Sequence, residues 1–123
     1  MSESGADLYR SWIGQLWNGP ESVDELRAAA AGILADDFVG HWPGRDVHGP
    51  DELAQLIAET KTMFTDLTFE IEIDPVVDGD TVAARWVGSG TTSDGTVSRF
   101  FGHDILRMRG GRFGEYWVAT VQL

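Results

Sequence analysis

The run "TFEIEI", Thr68–Ile73, switches the chain from a helical period to a period of two. Phe69, Ile71 and Ile73 alternate with Glu70 and Glu72, so an extended backbone places the apolar residues on one face and the acids on the other. A strand with one greasy face and one wet face suits an antiparallel sheet covered on one side. The same beat continues to the C-terminus. "DGD" at 78–80, "SDG" at 93–95 and "RGG" at 109–111 carry the residues of hairpin turns. They set off strands over 81–92, 96–108 and 112–122.

Upstream of this run the spacing is helical. Leu8, Tyr9, Trp12, Ile13 and Leu16 share one face of a segment from Ala6 to Trp17, which "NGP" at 18–20 ends. Ser22 followed by Glu25 reads as a capping box, and Val23, Leu26, Ala30, Ile33 and Leu34 as the buried stripe of a second helix. A short extended piece, Asp37–Pro43, and a loop lead to "HGPDEL". There Pro50 suits a first helical turn, and Asp51 and Glu52 sit at the positive end of the helix dipole. Leu53, Leu56, Ile57, Met63 and Phe64 make this third helix amphipathic.

Helices first and a meander after them predict an α+β fold with the helices on one face of the sheet. Long strands curl because they twist, so the expected shape is a cone-shaped, curved antiparallel sheet wrapped over about three N-terminal helices. Such a cone holds a small apolar molecule. Glycines 88, 90 and 102 fall inside strands and predict bends or bulges. With no repeat or linker, residues 1–123 read as one domain.

The totals narrow the partners. Twenty acids against nine lysines and arginines give a net charge of −11, and Lys61 is the single lysine. That field repels phosphate backbones and anionic headgroups, which predicts no nucleic-acid partner and no membrane partner. The absence of cysteine removes disulfides, thiolate catalysis and thiolate metal sites. The start, "MSESGADL", has no basic and apolar signal pattern, and no apolar run nears the ~20 residues of a membrane span, so the expected location is cytoplasmic.

"GHDILRM", Gly102–Met108, places His103 and Asp104 side by side in an apolar strand. Asp104, Leu106 and Met108 share a face; His103, Ile105 and Arg107 share the other. If the apolar pair faces the cone, Asp104 lines the cavity, where desolvation raises its pKa and fits it for acid, base or hydrogen-bond-donor work. The alternative is a buried aspartate satisfied by an arginine or histidine. On the short strand, one of His41 and Trp42 faces inward, and His41 is the candidate base, against a histidine at the pocket rim. One of Arg85 and Trp86 likewise faces inward; an arginine there more often partners a sheet-face glutamate. The five tryptophans suit core or the walls of a flat ligand. His41, His48 and His103 are not at metal-ligand spacing and no carboxylate pair completes a site, so no metal is expected.

Three stretches together resemble the SnoaL-like polyketide cyclase family, within the superfamily of nuclear transport factor 2 and ketosteroid isomerase. They are "HGPDELAQLI" (48–57), "DLTFEIEIDPVVDGDTVAARWVGSGTT" (66–92) and "GHDILRMRGGRFGEYW" (102–117). The resemblance implies a cystatin-like α+β barrel, a hydrophobic pocket, no cofactor, and a homodimer formed through the sheet. Asp104 matches the strand acid of the isomerase-type oxyanion hole. Trp12 falls nearest the tyrosine that completes that hole, and Trp42 stands where the isomerase base would lie. Val121 stands where the cyclases have their aspartate, and Gly102 where epoxide hydrolases have an arginine.

Two functions remain. One is a cofactor-independent acid/base enzyme, an isomerase or aldol-type cyclase acting on an apolar carbonyl compound, with Asp104 and His41 as catalytic residues. The other is a non-catalytic binding or dimeric scaffold protein for a hydrophobic small molecule. In both, Trp12, Trp42, Trp86, Trp117, Leu106, Met108 and Val121 are the expected ligand-binding residues.

Overall fold

Two serines start the first two helices. Ser4 accepts the Asp7 N–H at 3.1 Å ahead of α1 (Gly5–Ser11), and Ser22 accepts the Glu25 N–H at 3.4 Å ahead of α2 (Val23–Ile33). The computed structural model describes residues 4–123; Met1–Glu3, which open the stretch read for a targeting signal, lie outside the described residues. The helix expected to run through Trp17 changes character part-way: Trp12–Trp17 is a π-helical turn, closed by the Asn18 N–H on the Ile13 carbonyl at 2.8 Å.

The turn after it is tied down by two side chains. Asn18 donates to the Phe69 carbonyl at 2.7 Å and accepts the Phe69 N–H at 2.9 Å, pairing with that residue as a neighbouring strand would. Lys61 donates to the carbonyls of Leu16, Gly19 and Pro20 at 3.1, 2.8 and 2.7 Å, satisfying acceptors that a helix end leaves open. Burial lowers the Lys61 pKa.

The remaining elements are β1 (Leu34–Trp42), β2 (Arg45–His48), α3 (Gly49–Thr62), β3 (Thr65–Asp78), β4 (Thr81–Thr91), β5 (Val97–Arg109) and β6 (Arg112–Gln122). They form one six-stranded sheet in the order β2-β1-β6-β5-β4-β3. The sheet is curved and does not close, so the expected barrel is an open cone with β2 and β3 at its edges. Its pairings are antiparallel except β1 with β6, which is parallel. The segment expected to be a loop before α3 is instead the edge strand β2, anchored by buried Val47. The third helix stops at Thr62; Met63 is exposed and Phe64 lies over Gly90.

Turn chemistry fixes the meander. Gly79 and Gly95 have φ of +58° and +85°, and Gly110 and Gly111, both at positive φ, make the β5–β6 hairpin turn that only such residues enter freely. The strand glycines do something else. The β4–β5 register runs unbroken past Gly88, Gly90 and Gly102, so none of them is a bulge there. A Cβ on Gly102 would sit 2.2 Å from Cζ2 of Trp86, its cross-strand partner. The missing side chain is the berth of the indole.

The core fills the concave side. Leu8, Tyr9, Trp12, Ile13 and Leu16 meet Leu26, Ala30 and Ile33 of α2, Leu53, Ala54 and Ile57 of α3, and the inward residues of the sheet. Val82, Ala84 and Trp86 alternate inward along β4, and Asp104 is the one buried charged residue among those described.

Candidate functional site

Parity along the strands decides what lines the hollow. On β5, Gly102, Asp104 and Leu106 are buried while His103, Ile105 and Arg107 are exposed. The carboxyl group of Asp104, 1% exposed, collects three donors from three elements. The Tyr9 hydroxyl of α1 donates to Oδ2 at 2.8 Å. The Trp86 indole N–H of β4 donates to Oδ1 at 3.0 Å, and the Tyr116 hydroxyl of β6 to Oδ1 at 2.7 Å. The Trp12 indole N–H bears on the same carboxyl but forms no hydrogen bond of good geometry.

Burial raises the Asp104 pKa, and the bonds from Tyr116, Trp86 and Tyr9 pull the other way without cancelling it. The two phenols answer in kind: burial first, and then the Asp104 charge, push the pKa of Tyr9 and of Tyr116 upward. The aspartate is thus satisfied by neutral donors, not by an arginine or a histidine.

Asp104, Trp86 and Tyr116 border a cavity of about 250 Å³. Ile13 and Trp17 of the π-helical turn, Leu56 and Thr60 of α3, and Trp42, Phe69, Phe100, Val118 and Thr120 of the sheet complete its lining. The aromatic walls pack edge to face: Phe69 against Trp86 at 5.3 Å between centroids, Trp17 against Phe69 at 5.6 Å, and Trp42 against Tyr116 at 5.1 Å.

The other expected site residues fall in three places. Trp42 and Trp86 line the cavity, which settles the His41/Trp42 and Arg85/Trp86 alternatives. Trp12 and Leu106 are buried in the core behind the cavity walls, and Met108 packs against that core. His41, Trp117 and Val121 do not line the cavity. His41 and Trp117 are register partners and stack at 5.5 Å, on the side opposite Trp42 and Tyr116. Val121 shares the parity of Trp117 and is exposed. His41 therefore does not converge with Asp104. Its Nδ1 bonds Asp46 at 3.0 Å and its Nε2 bonds Glu115 at 2.7 Å, and these two bonds, Glu115 first, raise its pKa. Arg85 is on the convex face too, bonding Glu72 at 2.5 Å and His103 at 2.9 Å, with its guanidinium 4.1 Å from the Phe101 ring centre.

Tyr9 and Tyr116 enter the site although neither is among the sequence-derived site residues. Tyr9 sits one turn before Trp12 on the same helical stripe, and a hydroxyl on a buried stripe must find a partner. Tyr116 follows from "EYWV": once Glu115 is wet, Tyr116 points inward. Among the described residues no three His, Asp or Glu side chains gather as a metal site would require. No described helix is long and apolar enough to cross a membrane.

A model of the SnoaL-like domain matches residues 5–116. The chain belongs to the SnoaL-like domain family. Solved structures agree on the fold. One is a protein of ketosteroid isomerase-like fold from Catenulispora acidiphila, in complex with trimethylamine. It is 20% identical, with a TM-score of 0.76 over 92% of this chain and 84% of that one. IdmH from Streptomyces antibioticus, a candidate polyketide cyclase, is 21% identical, with a TM-score of 0.76 over 96% and 92%. A candidate polyketide cyclase from Bacillus cereus is 25% identical, with a TM-score of 0.76 over 93% and 72%. No curated protein sequence matches this SnoaL-like chain.

Proposed function

We propose that this SnoaL-like protein binds one small, largely apolar molecule in the cone, with Asp104 as the polar anchor and Trp42 and Trp86 as walls. One observation carries the reading: a cavity of about 250 Å³ whose lining is apolar and aromatic except for Asp104, the Tyr116 hydroxyl and two threonines. The side-chain set needs no cofactor for this task. The test is titration with a panel of steroids and aromatic polyketides while tryptophan emission is followed. Saturable quenching by at least one compound supports the reading, and none from the whole panel overturns it.

Turnover is a second reading, favoured by the upward push on the Asp104 pKa. An acid of that kind protonates or deprotonates carbon next to a carbonyl, as in cofactor-independent isomerisation or aldol-type cyclisation of an apolar carbonyl compound. Asp104 would carry both proton transfers alone, because His41 faces away. The check is deuterium exchange at the carbon beside the carbonyl of phenylacetone, followed by proton NMR. Exchange accelerated by wild type and lost in Asp104→Asn supports catalysis; no acceleration leaves the protein a binder.

The convex face supplies the dimer reading. Ile105 and Val121 are 46% and 48% exposed there, beside half-buried Trp117 and Phe101. We propose that two copies meet through this face, as measured by sedimentation equilibrium. A monomer at every concentration overturns that, and dissociation by Ile105→Lys supports it.

A further inference from the structure

We infer that the cavity is built for an organic ammonium ion, a tertiary amine whose N–H meets the Asp104 carboxylate while its alkyl arms lie against the aromatic walls. This rests on the pocket reading and deepens it by naming the ligand class.

The first observation is a missing counter-charge. No lysine, arginine or histidine lines the cavity, and no cationic side chain acts on Asp104, whose surroundings are burial and neutral donors alone. A buried carboxylate without an opposite charge is costly, and neutral hydrogen bonds offset that cost only in part. A cationic ligand supplies what the protein withholds. Three donors occupy the carboxylate, two on Oδ1 and one on Oδ2, out of about four lone-pair positions that an ionised carboxyl offers. The Trp12 N–H also bears on this carboxyl, without a hydrogen bond of good geometry.

The second observation is the wall chemistry. Six aromatic rings line the same cavity: Trp17, Trp42, Phe69, Trp86, Phe100 and Tyr116. Their negative faces attract a cation, and alkyl groups on nitrogen satisfy them at the same time. A neutral alkane would fill the space and leave the carboxylate unanswered. An anion would meet repulsion from Asp104 and from the net charge of −11, the field that draws cations toward the protein.

The experiment uses three near-isosteric probes on the wild-type protein at neutral pH: N,N-dimethylbenzylamine, which is protonated there, phenylacetone and isobutylbenzene. Tryptophan quenching gives the affinity, and calorimetry the stoichiometry. The expected result is one amine bound per chain, at least about tenfold tighter than either neutral probe, a gap that one desolvated charge contact supplies. Asp104→Asn, close in shape, should abolish that preference and keep weak binding of all three. Equal affinities, or a preference for the ketone or the alkane, overturn the inference and leave the pocket reading standing. An amine preference that survives Asp104→Asn also overturns it. Binding of none of the three also overturns the inference, and the steroid and polyketide panel then decides the pocket reading. If Asp104→Asn does not fold, Trp42→Leu takes its place, with loss of amine affinity exceeding loss of isobutylbenzene affinity as the expected result and equal losses as the contrary one.

Discussion

The two faces of β5 and β6 handle charge in opposite ways. On the concave face, Asp104 is sealed among Tyr9, Trp86 and Tyr116, with no cation near it. On the convex face of the sheet opposite charges meet: His41 of β1 lies between Asp46 and Glu115, Arg85 of β4 on Glu72, and Arg107 of β5 within 4.0 Å of Glu115. His103 and Asp104 are sequence neighbours and share almost nothing of each other's surroundings. Where water reaches, ion pairs form at little cost and are worth little. Where it does not, three neutral donors serve one carboxyl group and no cationic side chain joins them, the surroundings on which the proposed ligand site rests.

The sharpest way to break this contrast is to remove the concave acid. Asp104→Ala strands three buried donors at once, each worth ~1–3 kcal/mol when left without an acceptor. We expect a net loss of about 3 kcal/mol or more by urea unfolding; a loss under about 1 kcal/mol would show that the donors find other partners and that the network is not structural. The pH dependence has a definite sign. Because the folded Asp104 pKa is raised, its contribution to stability is full below about 3.9 and fades as pH rises through the folded value. Wild type should lose stability relative to Asp104→Asn as pH climbs out of the acidic range.

A smaller effect is expected at the berth of Trp86. Gly102→Ala puts a methyl group where the indole lies, forcing the ring aside and stretching its bond to Asp104. Overpacking of this kind costs ~1–3 kcal/mol. The control is Gly32→Ala on α2, where a Cβ meets nothing within 4 Å and should stabilise the helix by ~0.5–1 kcal/mol. If both substitutions move the urea midpoint the same way, Gly102 is not holding Trp86 in place.

Much of this was legible in the chain, and the gaps have physical causes. The period switch at Thr68–Ile73 and the glycine turns at 79, 95 and 110–111 announce the helices-then-meander order, because turn φ values and face alternation are local properties. The parallel β1–β6 pairing and the strand β2 are not local. "RDVH" is short and polar, and becomes a strand only because β1 offers it an edge through Val39–Trp42. Absolute phase was the harder gap. "HW" and "RW" each contain two residues able to face either way, and the side they take is set by partners on other strands, Glu115 for His41, 74 residues on, and Asp104 for Trp86, 18 residues on. For β5 the phase could be read, because Leu106 and Met108 outweigh Ile105. Tyr9 was visible as a stripe residue, but its role required knowing which buried acceptor would be within reach, and that is a fact of assembly.

The smallest expected effect lies on the convex face, at His41. Its imidazole is about one-third exposed and bridges β2 and β6 through Asp46 and Glu115. Solvent screens both contacts, so His41→Ala should cost about 1 kcal/mol or less. The bonds to Glu115 and Asp46 raise its folded pKa, so their contribution is full below about 6.5 and is lost as pH rises through the raised value. The stability gap between wild type and His41→Ala should therefore be widest in mildly acidic buffer and close in alkaline buffer, as urea midpoints across that range would show. Binding of the amine probe should be indifferent to the substitution, since His41 does not line the cavity. A fall in amine affinity comparable to that of Asp104→Asn would erase the division between the faces, because it would mean that a side chain turned away from the cavity governs what the cavity holds.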